Sequence, residues 1–472
     1  MSDTNVPDET EVVIVGAGPG GYVAAIRAGQ LGLDVTLVEK EAYGGTCLNF
    51  GCIPSKALIS ATDAAHEAAS GEDRGIHADP EIDLSETVDW KDDVVDRLTG
   101  GVEQLCKQAG ATLVEGRAEF ADETTVTVHT DDGEHELSFD HAVIATGSRA
   151  IELPDFPFEE DSILDSRGAL ALEEAPESLV IVGAGYIGME LATAYAKAGT
   201  DVTVVEMLDE ILPGYGAAAS ELVRERATDL GVDFHFGERA ADWRDRDGGI
   251  TLVTEDEEGE EAEYDAENVL VAIGREPVTD TVNLDAVGLE PTNDGFIETD
   301  GQGRTEHENV FAIGDVAGEP MLAHKGMREG EVVAEVIAGE PAALDYQAVP
   351  AVVFTDPEIA TVGMTEDEAT EDGYDVITGE MPLRASGRAL TLNDDEGFVR
   401  VVADADEGYL LGAQLVAPEA SELVAEFGLA LELGATVDDV AATIHTHPTL
   451  SEAAKEAAAN ARDHAIHTRN DR

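Results

Sequence analysis

The chain has 472 residues, with 101 acidic against 27 basic side chains and a formal net charge of -74. Such charge is the usual mark of disorder, but a 43% hydrophobic content and dense strand and helix patterning exclude it, and the anionic surface makes nucleic acid and anionic membranes poor partners. What remains is adaptation to multimolar salt, where the Debye length falls to about 3 Å or less and self-repulsion is screened.

The length suits three or four domains. No run of about 18 apolar residues occurs, and the N-terminal stretch is acidic and polar, so the expectation is a cytoplasmic protein without a signal peptide. A disulfide in that compartment is catalytic rather than structural. Val12 to Val15 form a short apolar, β-branched run, followed by GAGPGG with Gly16, Gly18 and Gly21 and a helix-compatible stretch through Leu31. The first glycine permits a tight turn, the second lets backbone amides approach a pyrophosphate, and the third lets the helix pack against the strand. A second strand, Asp34 to Val38, ends at Glu39, whose carboxylate can accept hydrogen bonds from a ribose.

The segment GGTCLNFGCIPSK, Gly44 to Lys56, places Cys47 and Cys52 five positions apart. On an ideal helix that spacing separates the Cα atoms by roughly 8–9 Å, whereas a disulfide needs about 4.4–6.8 Å. The backbone between them must be distorted; Gly51 can relax it and Pro54 limits the next turn. Zinc is a weak reading, because only Cys106 remains as a further thiol and the spacing is wrong, so no metal is expected. The pair reads as redox-active. A helical insertion near 60–110, an antiparallel pair, follows. Cys106 shares helical spacing with Val94, Val95, Leu98, Val102 and Leu105, which points to a buried core thiol.

A linker with Pro154 and Pro157 opens a second copy of the first unit. Leu179 to Val182 lead into GAGYIG, with Gly183, Gly185 and Gly188, and Asp201 to Val205 end at Glu206, at the same separation of glycine turn and acid as before. Two dinucleotides are implied. Glu206 suits a free ribose 2′-hydroxyl, and Met207 to Leu212 contain no arginine for a 2′-phosphate, so NAD is preferred over NADP. The acidic stretch Glu255 to Glu263 reads as a solvated hairpin turn. The run ending at Asp315 is a strand closing in a glycine and an acid, a fair ribose or ribityl contact. From about Tyr346 the pattern becomes alternating strands, such as Phe398 to Val402 and Leu410 to Val416, followed by helices. Near the end, His447 is set apart from the structurally placed His445 and His324 by its spacing to Pro448 and Glu452.

These motifs, with ATGS (Ala145 to Ser148), VAIGREP (Val271 to Pro277), TEHENVFAIGD (Thr305 to Asp315), Leu322 to Lys325 and HTHPTLSE (His445 to Glu452), resemble the flavin-dependent disulfide oxidoreductases from about Glu11 to the helix after Glu452. The resemblance implies an α/β fold: two Rossmann-like dinucleotide-binding domains, for FAD (1–150) and NAD (151–276), a central segment completing the FAD site (277–345) and a C-terminal α+β dimerisation domain (346–472). It implies FAD contacts at Gly16, Gly18, Gly21, Glu39, Lys56, Thr146, Gly147, Asp315 and Ala323, with Asp315 on the ribityl chain. NAD contacts fall at Gly183, Gly185, Gly188, Glu190, Glu206 and Gly274. Cys47 is then the interchange thiol, Cys52 the sulfur facing the flavin, His447 the base and Glu452 its orienting group, the last two supplied by the partner in a homodimer. Lys56 and Glu190 resemble a pair near the flavin N5 and nicotinamide, and the His447–Pro448 bond is expected to be cis.

Within the family, CLNFGCIPSK, LAHK and HPTLSE resemble the branch that oxidises protein-bound dihydrolipoamide with NAD, whose partner is a lipoyl-bearing protein of a 2-oxoacid dehydrogenase or glycine-cleavage system. Glutathione reductases read a 2′-phosphate with arginines, and mercuric reductases carry a C-terminal cysteine pair, both lacking here. A low-molecular-weight disulfide reductase running in the reductive direction is the alternative. Two positions depart from the family pattern: Gly326, Met327 and Arg328 follow the LAHK run, and Val278 stands where asparagine is common.

Overall fold

The computed structural model describes residues 6–470; the first five positions of the polar N-terminal stretch lie outside them. The chain forms two compact units, each assembled from two separated stretches: one up to Pro176 with Leu270–Asp345, the other Glu177–Val269 with the stretch from Tyr346 on.

In the first unit, β1 (Glu9–Val15), α1 (Pro19–Gln30) and β2 (Val35–Glu39) form the strand, turn, helix and strand that the glycine spacing predicts. Val12 to Val15 are all buried. The run carries no alternation because a strand inside a parallel sheet has protein on both faces. β1 pairs in parallel with β2 on one side and with Gly133–Ile144 on the other. That long strand changes role along its length, antiparallel to Thr125–Thr130 at its start and parallel to Val310–Ala312 at its end. Ile14, Leu37, Val143 and Phe311 share one core with Ala24 and Ala25 of α1 and with Val332 and Val333 of the helix Ala323–Ile337. Val13, Val38, Ile144 and Phe120 belong to a second core.

After β2 come α2 (Gly45–Asn49), α3 (Cys52–Ala69) and α4 (Leu84–Ala109), the last two packed on one another. Asp83 caps α4 by accepting from the Glu86 amide at 3.1 Å. Val88, Val95, Val102 and Cys106 make its buried stripe. Leu98 and Leu105, expected in the same core, are 39% and 53% exposed; they lie on the flank of that stripe, and a helix buries only one face.

The second unit opens in the same way, with Ser178–Val182, Tyr186–Lys197 and Asp201–Glu206. Its strands pair in parallel and are extended by Asp233–Phe236. An antiparallel meander of Glu238–Arg246, Gly249–Asp256 and Glu261–Ala266 follows, and the acidic run forms the exposed turn between its last two strands. Beyond Tyr346 lies a five-stranded antiparallel sheet in the order Ala351–Val353, Glu358–Gly363, Leu410–Ala417, Phe398–Asp404, Val376–Pro382. The helices Ala420–Glu432 and Glu452–Asn460 pack on it, burying Val424, Phe427, Ala453 and Ala457 with Val362, Val401 and Leu415. Helix Glu452–Asn460 lies so close to its strand that a side chain at Gly379 would run into the Ala457 carbonyl and the Ala461 amide. Among the described residues no helix is long and apolar enough to cross a membrane.

Candidate active site

The two cysteines sit on separate helices. α2 stops after Asn49, Phe50 (φ -135°, ψ 0°) and Gly51 (φ -135°, ψ -103°) leave helical geometry, and α3 restarts at Cys52. This break is the distortion that the five-residue spacing demands, and it brings the two sulfurs within hydrogen-bond reach. That bond, and burial after it, push the Cys47 thiol up, while Lys56 on α3 pulls the other way. Cys52 is exposed and Cys47 half-buried. α2 docks against the first glycine turn. The Gly44 amide donates to the Ala17 carbonyl at 2.8 Å, and Gly45, at φ +61°, lies where a Cβ would stand 2.5 Å from the Gly18 Cα. Asn49 braces the turn from inside: its Nδ2 donates to the Tyr43 and Gly45 carbonyls at 3.0 and 2.9 Å, and its Oδ1 accepts from Thr99 of α4 at 2.9 Å.

The two glycine turns are near copies. Gly16 and Gly183 have φ of +101° and +104°, and a Cβ on Gly21 or Gly188 would collide with the Gly16 or Gly183 carbonyl. The middle glycines differ in kind. Gly18 and Gly185 have ordinary φ of -65° and -72°, and a Cβ there would meet nothing within 4 Å. The protein's own packing does not require them; they leave each helix N-terminus uncovered, which is what a pyrophosphate needs. Glu39 accepts from the Ala17 amide at 2.7 Å and the Glu41 amide at 2.9 Å, and Glu206 does the same for Ala184 at 2.7 Å and Leu208 at 2.9 Å. These acids therefore hold the turns together, a role the sequence signals only through the repeated spacing.

Asp315 sits in a turn after Val310–Ala312. Ser148 Oγ donates to its Oδ2 at 2.5 Å, and Arg275 donates from Nε to Ser148 Oγ at 2.8 Å and from Nη2 to the Ser148 carbonyl at 2.7 Å. Glu329 accepts from the Gly314 amide at 2.6 Å and pairs with Lys325 at 2.9 Å, whose Nζ also donates to the Gly318 carbonyl at 3.0 Å. Thr146 Oγ1 donates to the Val278 carbonyl at 2.6 Å, and Gly147 accepts from the Val278 amide at 2.9 Å. Both contacts use the backbone of residue 278, so valine there costs neither. Gly274 adopts φ +132° and accepts from the Ile151 amide at 3.1 Å; Ala323 opens the helix Ala323–Ile337. Gly326 in that helix leaves room for the Asp315 turn, since a Cβ would lie 3.2 Å from the Gly314 Cα.

In the second unit, His447 Nδ1 meets the Glu452 carboxylate at 3.0 and 3.1 Å, and the Thr449 amide donates to Glu452 at 3.0 Å. Burial alone would raise the Glu452 carboxyl, but the Thr449 amide and His447 outweigh it and hold it below its ordinary range. With Nδ1–H given to the carboxylate, Nε2 carries the lone pair on a ring that is 79% exposed. The His447–Pro448 peptide is cis. His445, by contrast, is buried between Glu426 at 2.8 Å and the Thr443 carbonyl at 3.1 Å, a structural histidine. One turn along the same helix, Glu456 clasps the C-terminal segment, accepting from the Ile466 and His467 amides at 2.9 Å and meeting His467 Nδ1 at 3.0 Å. Nothing in the sequence singled it out. Glu190 is buried and accepts from the Phe354 amide at 3.0 Å. Cys47, Cys52, Lys56, Glu39 and Asp315 thus belong to the first unit, and Glu190, Glu206, His447 and Glu452 to the second.

Residues 10–330 match the pyridine nucleotide-disulphide oxidoreductase family, and residues 349–458 its dimerisation domain. The chain is 66% identical over 464 residues to the dihydrolipoyl dehydrogenase of Halobacterium salinarum, covering 98% of each chain, and 51% identical over 460 residues to that of Geobacillus stearothermophilus, covering 97% of each. Among solved structures it resembles LpdA from Mycobacterium tuberculosis, with a TM-score of 0.88 at 29% identity over 95% of this chain and 99% of that one. It also resembles the HOCl-induced flavoprotein disulfide reductase RclA from Escherichia coli, with a TM-score of 0.85 at 27% identity over the same shares. The family match over residues 10–330 and the identity across the whole length agree, and the chain belongs to the pyridine nucleotide-disulphide oxidoreductase family.

Proposed function

We infer that this protein is a dihydrolipoyl dehydrogenase using FAD and NAD. The observation that carries the reading is its 66% identity, over 98% of both chains, to a protein of that name. The cradles fit the cofactors: both middle glycines leave a helix N-terminus open, and each acid stands beside its turn. Gly16, Gly18, Gly21, Glu39, Thr146, Gly147, Asp315 and Ala323 would hold FAD, and Gly183, Gly185, Gly188, Glu206 and Gly274 NAD, with Lys56 and Glu190 between flavin and nicotinamide.

His447 Nε2 takes the proton of one dihydrolipoamide thiol, and Glu452 steadies the imidazolium. The resulting thiolate attacks Cys47 in the Cys47–Cys52 disulfide, forming a mixed disulfide and releasing Cys52 as thiolate. The second substrate thiol then attacks the substrate sulfur of that mixed disulfide, so lipoamide leaves; His447 gives its first proton to the departing Cys47 sulfur and takes up the proton of the second thiol. Bound FAD supplies the path by which the electron pair passes to NAD as hydride.

The C-terminal half of the second unit is the family's dimerisation domain, and it leaves Leu429, Leu433 and Ile444 at 62%, 74% and 94% exposure. Those side chains support a homodimer, in which the partner's dyad serves each cysteine pair. The electron donor is then a lipoyl-bearing protein of a 2-oxoacid dehydrogenase or glycine-cleavage system in the cytoplasm. The deciding experiment compares NADH formation from dihydrolipoamide with NADPH-dependent reduction of small disulfides, both in about 2 M salt. Fast NADH formation alone is expected. Turnover of small disulfides without it would transfer the same cysteine chemistry to a reductive substrate.

A further inference from the structure

We propose that Arg275 and Ser148 form a relay that fixes the orientation of the Asp315 carboxylate, and that Arg275 acts on flavin affinity only through Ser148. The proposal rests on the reading of Asp315 as the ribityl contact. Three stretches of chain meet at this point: the strand Ser148–Ala150, its antiparallel partner Arg275–Pro277 and the turn after Val310–Ala312. Ser148 is 8% exposed there. A guanidinium N–H can only donate, so Ser148 Oγ accepts from Arg275 Nε at 2.8 Å and its single proton goes to Asp315 Oδ2 at 2.5 Å. A hydroxyl already bonded to a cation is the stronger donor, in keeping with the shorter second contact.

With Oδ2 engaged, Oδ1 is the oxygen presented to a ligand hydroxyl. Without the Ser148 proton the carboxylate would turn about χ2, a broad and nearly two-fold torsion. Arg275 also holds the Ser148 carbonyl at 2.7 Å, so one guanidinium grips both ends of the serine. The backbone of the Asp315 turn is secured separately, by Glu329 at the Gly314 amide and Lys325 at the Gly318 carbonyl. Losing the relay therefore frees the side chain while the turn stays in place, and Arg275 and Ser148 are positioning residues.

The test is equilibrium dialysis of holoenzyme in high salt, with free FAD read by fluorescence and thermal unfolding as a check on fold. Ser148→Ala is expected to weaken FAD about tenfold, and Ser148→Thr, which keeps the hydroxyl, to restore most of that affinity. Arg275→Met should weaken FAD in the native background, yet add less than about twofold once Ser148 is alanine. Equal losses from Arg275→Met in both backgrounds would overturn the relay and make Arg275 a direct cofactor ligand. Asp315→Asn separates the two readings. Unchanged FAD affinity in that variant would overturn the ribityl assignment; a loss there with full affinity in Ser148→Ala would overturn the relay alone.

Discussion

The three thiols of this chain differ in what surrounds them. Cys106 is fully buried, and burial pushes its pKa up to about 11, so the reactive thiolate is scarce at neutral pH. A thiol reagent added to the reduced native flavoprotein is expected to modify Cys47, the proposed interchange thiol, first, Cys52 on the flavin side later, and Cys106 only on unfolding. Peptide mass spectrometry along the time course checks this, and early modification of Cys106 would contradict its burial. Glu206 carries a second residue-scale expectation. Because it holds the Ala184 and Leu208 amides besides its proposed ribose contact, Glu206→Ala should raise the KM for NAD about tenfold without creating useful activity with NADP. A variant that simply switched to NADP would show that the carboxylate discriminates without supporting the turn. The turn-holding place of such residues is legible in sequence because a glycine turn and an acid recur at fixed spacing. Ser148 with Asp315, 167 positions apart, and Asn49 with Thr99, 50 apart, leave no periodic trace; only the folded chain pairs them.

At the level of elements, local covalent rules carried furthest. The break between α2 and α3 follows from the reach of a disulfide, and the buried first strands follow from unbroken apolar runs bounded by glycine. Leu98 and Leu105 were misplaced because apolar character on a long helix does not say which stripe faces the core. The helix Glu452–Asn460 offers a test of its own. Glu452 and Glu456 are both held below the ordinary carboxylate range by amide and histidine hydrogen bonds that outweigh burial. A carboxyl depressed in the folded chain adds stability above its unfolded pKa, and that stability fades as pH falls through the folded value. The grip on Thr449 and on the C-terminal segment is thus complete at neutral pH and released on acidification below about pH 4. Glu456→Ala should release Ile466 and His467 already at neutral pH, at a cost of about 1–3 kcal/mol. Hydrogen exchange at those amides reads it out; unchanged protection would mean the clasp contributes nothing.

Across the whole molecule, the net charge of -74 sets the expected response to salt. Of seven lysines in the chain, Lys91, Lys197 and Lys325 are buried with their ammonium groups paired to Asp92, Asp356 and Glu329. Three of the seven lysines thus have their side chains in the interior rather than offsetting the acidic surface. At about 10 mM salt the Debye length reaches about 30 Å, and the -74 net charge then acts across a whole unit. Dilution from about 2 M salt to that level is expected to dissociate the dimer and release flavin, followed by sedimentation and by flavin absorbance. A dimer that kept its flavin in dilute buffer would refute a salt requirement. The interleaved assembly of the two units bears on the order of events during synthesis. When Pro176 leaves the ribosome, the first unit still lacks Val310–Ala312 for its sheet, Phe311 for its core and Asp315 for its site. About 140 residues separate Pro176 from Asp315, roughly 7–28 s of translation. The nascent chain therefore spends that interval with an unfinished sheet edge exposed, and the proposed flavin contact at Asp315 joins only after the whole of Glu177–Val269 has emerged.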